Sequence, residues 1–180
     1  MDQDLIQNLT SLVTKAQVLT AARGYNDFER DEQWPSPCET EVDGQWQWAP
    51  VLQTEAGFEG DFSNVESALN IKIDQQFQAF FSTYFSSNIL AKHKDGDLEL
   101  LQAWSEEDYA RLQQNLIGHL MMKQRLKQLP TLFFAVTDEE DLNLVVNNLT
   151  GEVCLEYVGK EPHTVLSRNL ATFLAECEPV

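Results

Sequence analysis

Positive charge is what this 180-residue sequence has least of: twelve lysines and arginines stand against 29 aspartates and glutamates, a net charge of −17 at neutral pH. Between Asp31 and Ile71 there is no lysine or arginine at all. Binding nucleic acid through its phosphates needs a basic stripe, and this composition has little to build one from, so a nucleic-acid partner is not expected. Cysteine is equally sparse. Cys38, Cys154 and Cys177 form an odd set with neither C-x-x-C nor zinc-ligand spacing, and they read as free thiols of a reducing cytosol. The eight glycines are scattered, and none follows a strand in the spacing of a phosphate-cradling loop. No apolar run approaches the roughly 20 residues that a membrane span requires. The opening Met-Asp-Gln-Asp has neither the basic nor the apolar region of a signal peptide, so insertion into a bilayer is not expected.

Catalytic patterns are missing too. His93, His119 and His163 lie far apart and belong to no nucleophile motif, so a triad would have to be assembled wholly by the fold. His119 falls on the apolar side of a helical pattern, where a hydrogen-bonded structural role is expected. Glu39, Glu41 and Asp43 alternate as calcium ligands can, but without the glycine and final glutamate of an EF-hand loop. Acidic residues near tryptophans superficially resemble a sugar cleft, yet abundant carboxylates make chance pairs inevitable. Neither an enzyme nor a metal or other cofactor is expected.

What is present fits one globular domain over residues 1–180. Hydrophobic residues make up 43% of the chain, and a chain of this length buries roughly 70% of the surface its unfolded form exposes. Leu5, Leu9, Leu12, Ala16 and Leu19 recur at helical spacing across 4–22, with Gly24 placed to end the helix. Residues 39–48 predict two short strands around Asp43-Gly44, because Asp-Gly supplies the positive φ angles of a tight turn. Ser63 and Glu66 have capping-box spacing ahead of a short helix. Asp74 is expected to cap another running through Phe77, Phe80, Phe81 and Tyr84, an aromatic run read as core. Strands are predicted at 88–92 and 97–103, and a long helix at 106–127.

That long helix begins with Glu106, Glu107 and Asp108 and ends with Lys123, Arg125 and Lys127. The arrangement complements the helix dipole, and it also leaves open a small cationic contact patch. Strands at 131–137, 142–146 and 152–157 and a closing helix at 164–176 complete the prediction. Hairpin-length connections point to an α+β domain, a mostly antiparallel or mixed sheet with helices packed against it.

The acidic stretch carries Trp34, Trp46 and Trp48, with the last two on one side of their strand by the period of two. Two readings fit it. Acidic loops can serve solubility alone while the tryptophans sit in the core. Alternatively, Glu39, Glu41, Asp43, Glu59 and Asp61 receive a basic partner while Trp34, Trp46 or Trp48 packs against its aliphatic stems, charge choosing the partner and aromatic burial holding it.

The run LLQAWSEEDYARLQQNLIGHLMMKQRLKQLPTLFFAVTDEE, with WPSPCE, VESALNIKI and NLTGEV, resembles the Syd family of bacterial SecY-interacting proteins, related to the SUKH immunity superfamily. The resemblance extends from the first helix to the LATFL near the end. It implies a cytoplasmic protein without enzymatic activity, peripherally associated with the inner membrane through basic cytosolic loops of the SecY translocon subunit. An acidic concave face is implied as the contact, serving to modulate or monitor the translocation channel. The kinship with immunity proteins leaves a second implied function, neutralising a basic toxin. A monomer is expected.

Overall fold

Helix α1 (Gln3–Ala22) opens the chain because Asp2 caps it, its carboxylate accepting from the Leu5 amide at 3.1 Å. The computed structural model describes residues 2–180. Gly24 and Tyr25, both at positive φ, turn the chain out of the helix. Next come β1 (Glu39–Val42) and β2 (Gln45–Trp48), the expected hairpin, with Asp43 at φ 51° and Gly44 at φ 79°. The two-residue strand β3 (Val51–Leu52) precedes α2 (Ser63–Leu69) and α3 (Gln75–Ser82).

Asp74 caps α3 as expected, accepting from Phe77. The capping box at α2 does not form. Ser63 is the first helical residue, the Asp61 carboxylate accepts from its amide, and Glu66 instead accepts from the Ile73 amide beyond the helix. Tyr84 leaves α3 to begin β4 (Tyr84–Phe85), which pairs with β3.

The remaining chain is a meander: β5 (Ile89–His93), β6 (Gly96–Leu100), then α4 (Glu106–Arg125), β7 (Thr131–Val136), β8 (Leu142–Asn147), β9 (Val153–Tyr157), β10 (Thr164–Ser167), α5 (Leu170–Ala175) and β11 (Glu178–Pro179). Seven strands pair in the order β10-β9-β8-β7-β6-β5-β11, every neighbour antiparallel. The α+β expectation is met. The closing helix expected over 164–176 is instead an edge strand and a short helix. Val165 is β-branched and pairs with Cys154 on β9, and Asn169 then caps α5 through the Thr172 amide.

Neighbouring side chains on β7 point to opposite faces, and that decides the layers. Phe134 meets Phe80 of α3 and Phe173 of α5, each at 5.7 Å between ring centres. Phe133 meets His119 of α4 at 5.4 Å. Helices α1, α3 and α5 therefore cover one face, where Leu5, Leu9, Phe77, Phe81 and Leu100 are buried. Helix α4 covers the other face over β7 and reaches β9 through Lys123. It leaves the paired residues Leu90 and Glu99 of β5 and β6 uncovered.

Lys123 cannot belong to the cationic contact patch that the basic end of α4 left open, because it is buried. Its side chain is 1% exposed, donating to Glu156, itself 2% exposed, at 3.0 Å and to the Lys160 carbonyl at 2.8 Å. Thr131 donates to the same carboxylate at 2.9 Å, and its hydroxyl oxygen lies 3.1 Å from Nε2 of His119. Burial, then the Lys123 charge, push the His119 ring down to about 4, so at neutral pH it is an uncharged structural donor, as its helical position predicted.

Candidate functional site: an acidic, aromatic double cleft

The open end of the sheet is framed by residues 25–37, which cross from α1 toward the start of α4. Pro35 and Pro37 restrict this segment, and three contacts pin it. The Trp104 indole donates to the Trp34 carbonyl at 3.0 Å, Ser36 Oγ donates to the Trp104 carbonyl at 2.6 Å, and the Phe28 ring lies 6.3 Å from Trp104. The Asp108 carboxylate, which accepts from the Trp104 amide at 2.8 Å, holds the junction with α4. A polar, proline-bearing stretch thus becomes a wall pinned at its Phe28, Trp34 and Ser36 contacts.

Two clefts open beside that wall. One, of about 310 Å³, is lined by the end of α1, Asp27, Phe28, Trp48, Leu90 and Glu99. The other, of about 350 Å³, is lined by Glu29, Asp31, Trp34, Gln102, Trp104 and Asp108. They adjoin, sharing Phe28, Ser87 and Asn88. Asp27, Glu29, Asp31, Glu99 and Asp108 supply five carboxylates against two guanidiniums, Arg23 and Arg111. With apolar walls beneath, that imbalance concentrates a negative potential in the hollow.

The eight residues singled out from sequence separate here. Trp34 lines the second cleft, half-buried. Trp48 contributes to the floor of the first but is only 6% exposed, a core residue rather than a free anchor. Trp46 shares its face of the hairpin, as the register Glu39↔Trp48 and Glu41↔Trp46 requires, but Arg30 already lies over its ring at 3.9 Å.

The Glu39 side chain is 4% exposed; it accepts from the Ser36 amide at 2.8 Å and lies 3.5 Å from Arg30, so it is not free to receive a partner. The lack of any cation within residues 32–70 hid this pair, since Arg30 lies just outside it. Glu41 and Asp43 are exposed on the hairpin, and Glu59 and Asp61 on the approach to α2. Two amide and hydroxyl bonds from Ser63 hold the Asp61 carboxyl below its usual range. None of the five carboxylates expected at the contact lines either cleft.

Sequence reasoning missed Phe28, Glu29, Glu99, Trp104 and Asp108. Trp104 and Asp108 belong to the start of a helix whose acidic first turn the dipole already explained, and Glu99 reads as an ordinary solvent-face strand residue. Only Phe28, an isolated aromatic among charged neighbours, carried a local signal.

Among the described residues, neither a histidine nor a cysteine lines the clefts, and no group of three or more His, Cys, Asp or Glu side chains is placed to hold a metal ion. The three thiols are free and buried; burial pushes Cys38 and Cys154 up to about 11 and Cys177 to about 12, so they stay protonated. No helix of the described residues is long and apolar enough to cross a membrane. What the hollow offers chemically is attraction for cations and flat surfaces on which they can stack.

Known proteins are similar to this sequence over most of its length. Protein Syd of Alteromonas mediterranea is 52% identical over 153 residues, 83% of each chain. Protein Syd of Pseudoalteromonas atlantica is 47% identical over 157 residues, 84% of this chain and 83% of the relative. Protein Syd of Colwellia psychrerythraea is 46% identical over 156 residues, 82% and 78%. The family model described as Syd protein (SUKH-2) matches residues 6–179, and the chain belongs to that family.

Proposed function

We propose that this protein is a binding protein that docks on basic cytosolic loops of the SecY translocon subunit through the double cleft. There it modulates or monitors the translocation channel from the cytoplasmic face of the inner membrane. One observation carries the reading: five carboxylates and two guanidiniums surround a hollow floored by Phe28, Trp34, Trp48 and Trp104. Cytosolic loops of membrane proteins are enriched in Lys and Arg, whereas anionic headgroups repel a chain carrying −17. Charge therefore steers the domain to loops and away from bare lipid. The attraction fades with salt, because the Debye length is about 8 Å at physiological ionic strength. The aromatic floor, which salt does not screen, supplies the longer-lived part of the contact.

The test is binding to translocons in nanodiscs across a salt series. Changing Glu29, Asp31 and Glu99 together to amides is expected to weaken binding about tenfold at low salt, from exposed pairs worth about 0.5 kcal/mol each. The same treatment of Glu41, Asp43 and Glu59 is expected to cost far less. Wild-type binding by the cleft variant would refute the site. Capture of a cationic soluble toxin in place of translocon subunits would replace docking by the immunity reading.

A further inference from the structure

Within the second cleft one place is already occupied by a cation, and it belongs to the chain itself. Arg111 lies with its guanidinium carbon 4.9 Å above the Trp34 ring, and its Nη2 donates to Asp108 Oδ1 at 2.7 Å. The other Asp108 oxygen is committed to the Trp104 amide. Gln102, 6% exposed, also lines this cleft; its amide nitrogen donates to the carbonyls of Phe80 and Leu101, while its Oε1 is buried with no hydrogen-bond partner. A planar aromatic face and a carboxylate oxygen satisfy a guanidinium by stacking and charge, and Gln102 adds an unused acceptor to the lining of the same cleft for its directional N–H bonds.

The geometry points to an arginine pocket formed by Trp34, Asp108 and Gln102, which Arg111 caps in the free protein and which an arginine side chain of the partner takes over on binding. It rests on the docking reading and sharpens it, since a point-charge lysine gains less from the flat ring and from a second acceptor than a fork of donors does. Arg111 is suited to leave. Its side chain is 61% exposed, and it is held by one surface ion pair and one aromatic contact, each of the weak kind.

The probes are an arginine hexapeptide and a lysine hexapeptide, titrated calorimetrically into the full chain. Arg111→Gln keeps a good helix former at that position and frees the pocket. It is expected to bind the arginine peptide about fivefold more tightly than wild type, with a smaller gain for lysine. Arg23→Gln removes the same charge from the adjoining cleft without uncovering Trp34, and is expected to give less than half that gain. Adding Trp34→Ala to Arg111→Gln is expected to erase the gain. Equal gains from the two single variants, or none from Arg111→Gln, overturn the pocket. The nanodisc measurement separates the two proposals: translocon binding without an arginine gain defeats the pocket alone, and an arginine gain without translocon binding defeats the docking alone.

Discussion

Replacing Lys123 by Met removes one charge from a pair that water does not reach, and the consequence can be worked out from its surroundings. Without the ammonium, the Glu156 carboxylate keeps only the Thr131 hydroxyl and, at 3.8 Å, the uncharged His119 ring. Burial already pushes the Glu156 carboxyl up, and the Lys123 ammonium is the main force opposing it. The variant therefore either buries an unpaired charge, at about 3–5 kcal/mol, or takes up a proton. Holding a carboxyl of ordinary value 4.5 protonated at pH 7 costs about 1.4 kcal/mol per pH unit, or about 3 kcal/mol.

Both routes converge on a loss of about 3 kcal/mol at neutral pH. They also fix its pH dependence. A group whose folded value is raised is at ease below its unfolded value and loses stability as pH rises, so the penalty should shrink between pH 7 and 5. Urea denaturation followed by circular dichroism at both pH values reads this directly, with the slope m as the check that unfolding stays two-state. Removing the stranded acid as well, in Lys123→Met with Glu156→Leu, should return most of the stability, since an apolar pair suits a dry site. A loss below about 1 kcal/mol at pH 7, or one that does not change on acidification, would refute the assignment of this pair as dry.

Three further outcomes are expected. A Cβ on Gly60 would stand 2.7 Å from the Tyr109 ring and 2.9 Å from Gln53 Oε1, so Gly60→Ala should destabilise by about 1–3 kcal/mol in the same denaturation assay. Trp48→Ala should cost about 3–5 kcal/mol as a core truncation, whereas Glu41→Gln on the same hairpin should stay within about 0.5 kcal/mol, which thermal unfolding distinguishes. Because the His119 value is depressed to about 4 from an ordinary 6.5, the unfolded chain binds its proton first; stability should fall as pH drops from 6.5 toward 4, and His119→Gln should flatten that slope.

Local chemistry was legible in the sequence where a residue acts on its own neighbours, the capping box at Ser63 and Glu66 excepted, because Glu66 turns to the Ile73 amide instead. Asp74 and Ser105 cap helices through amides three residues on, and Asp43-Gly44 turns a hairpin by its own backbone angles. The helical spacing of Leu5, Leu9 and Leu12, the excess of acid and the family resemblance needed nothing further. Where two local signals competed, the sequence misled: Val165 and Leu166 share helical spacing with Leu170 and Phe173, but the free edge of β9 offered Val165 a ladder of hydrogen bonds and drew that segment into the sheet.

Tertiary structure alone decided which charges are free. Whether Glu39, Lys123 or Trp48 meets solvent depends on Arg30, Glu156 and the hydrophobic core, partners distant in sequence or outside any pattern that the eye follows along the chain. The cleft follows the same rule, because Phe28, Glu99 and Asp108 come together only when α4 covers part of one sheet face and leaves the rest open. Composition set the sign of the protein's own charge, while burial, a property of the folded chain and not of any residue, selected the few carboxylates and rings that line the clefts.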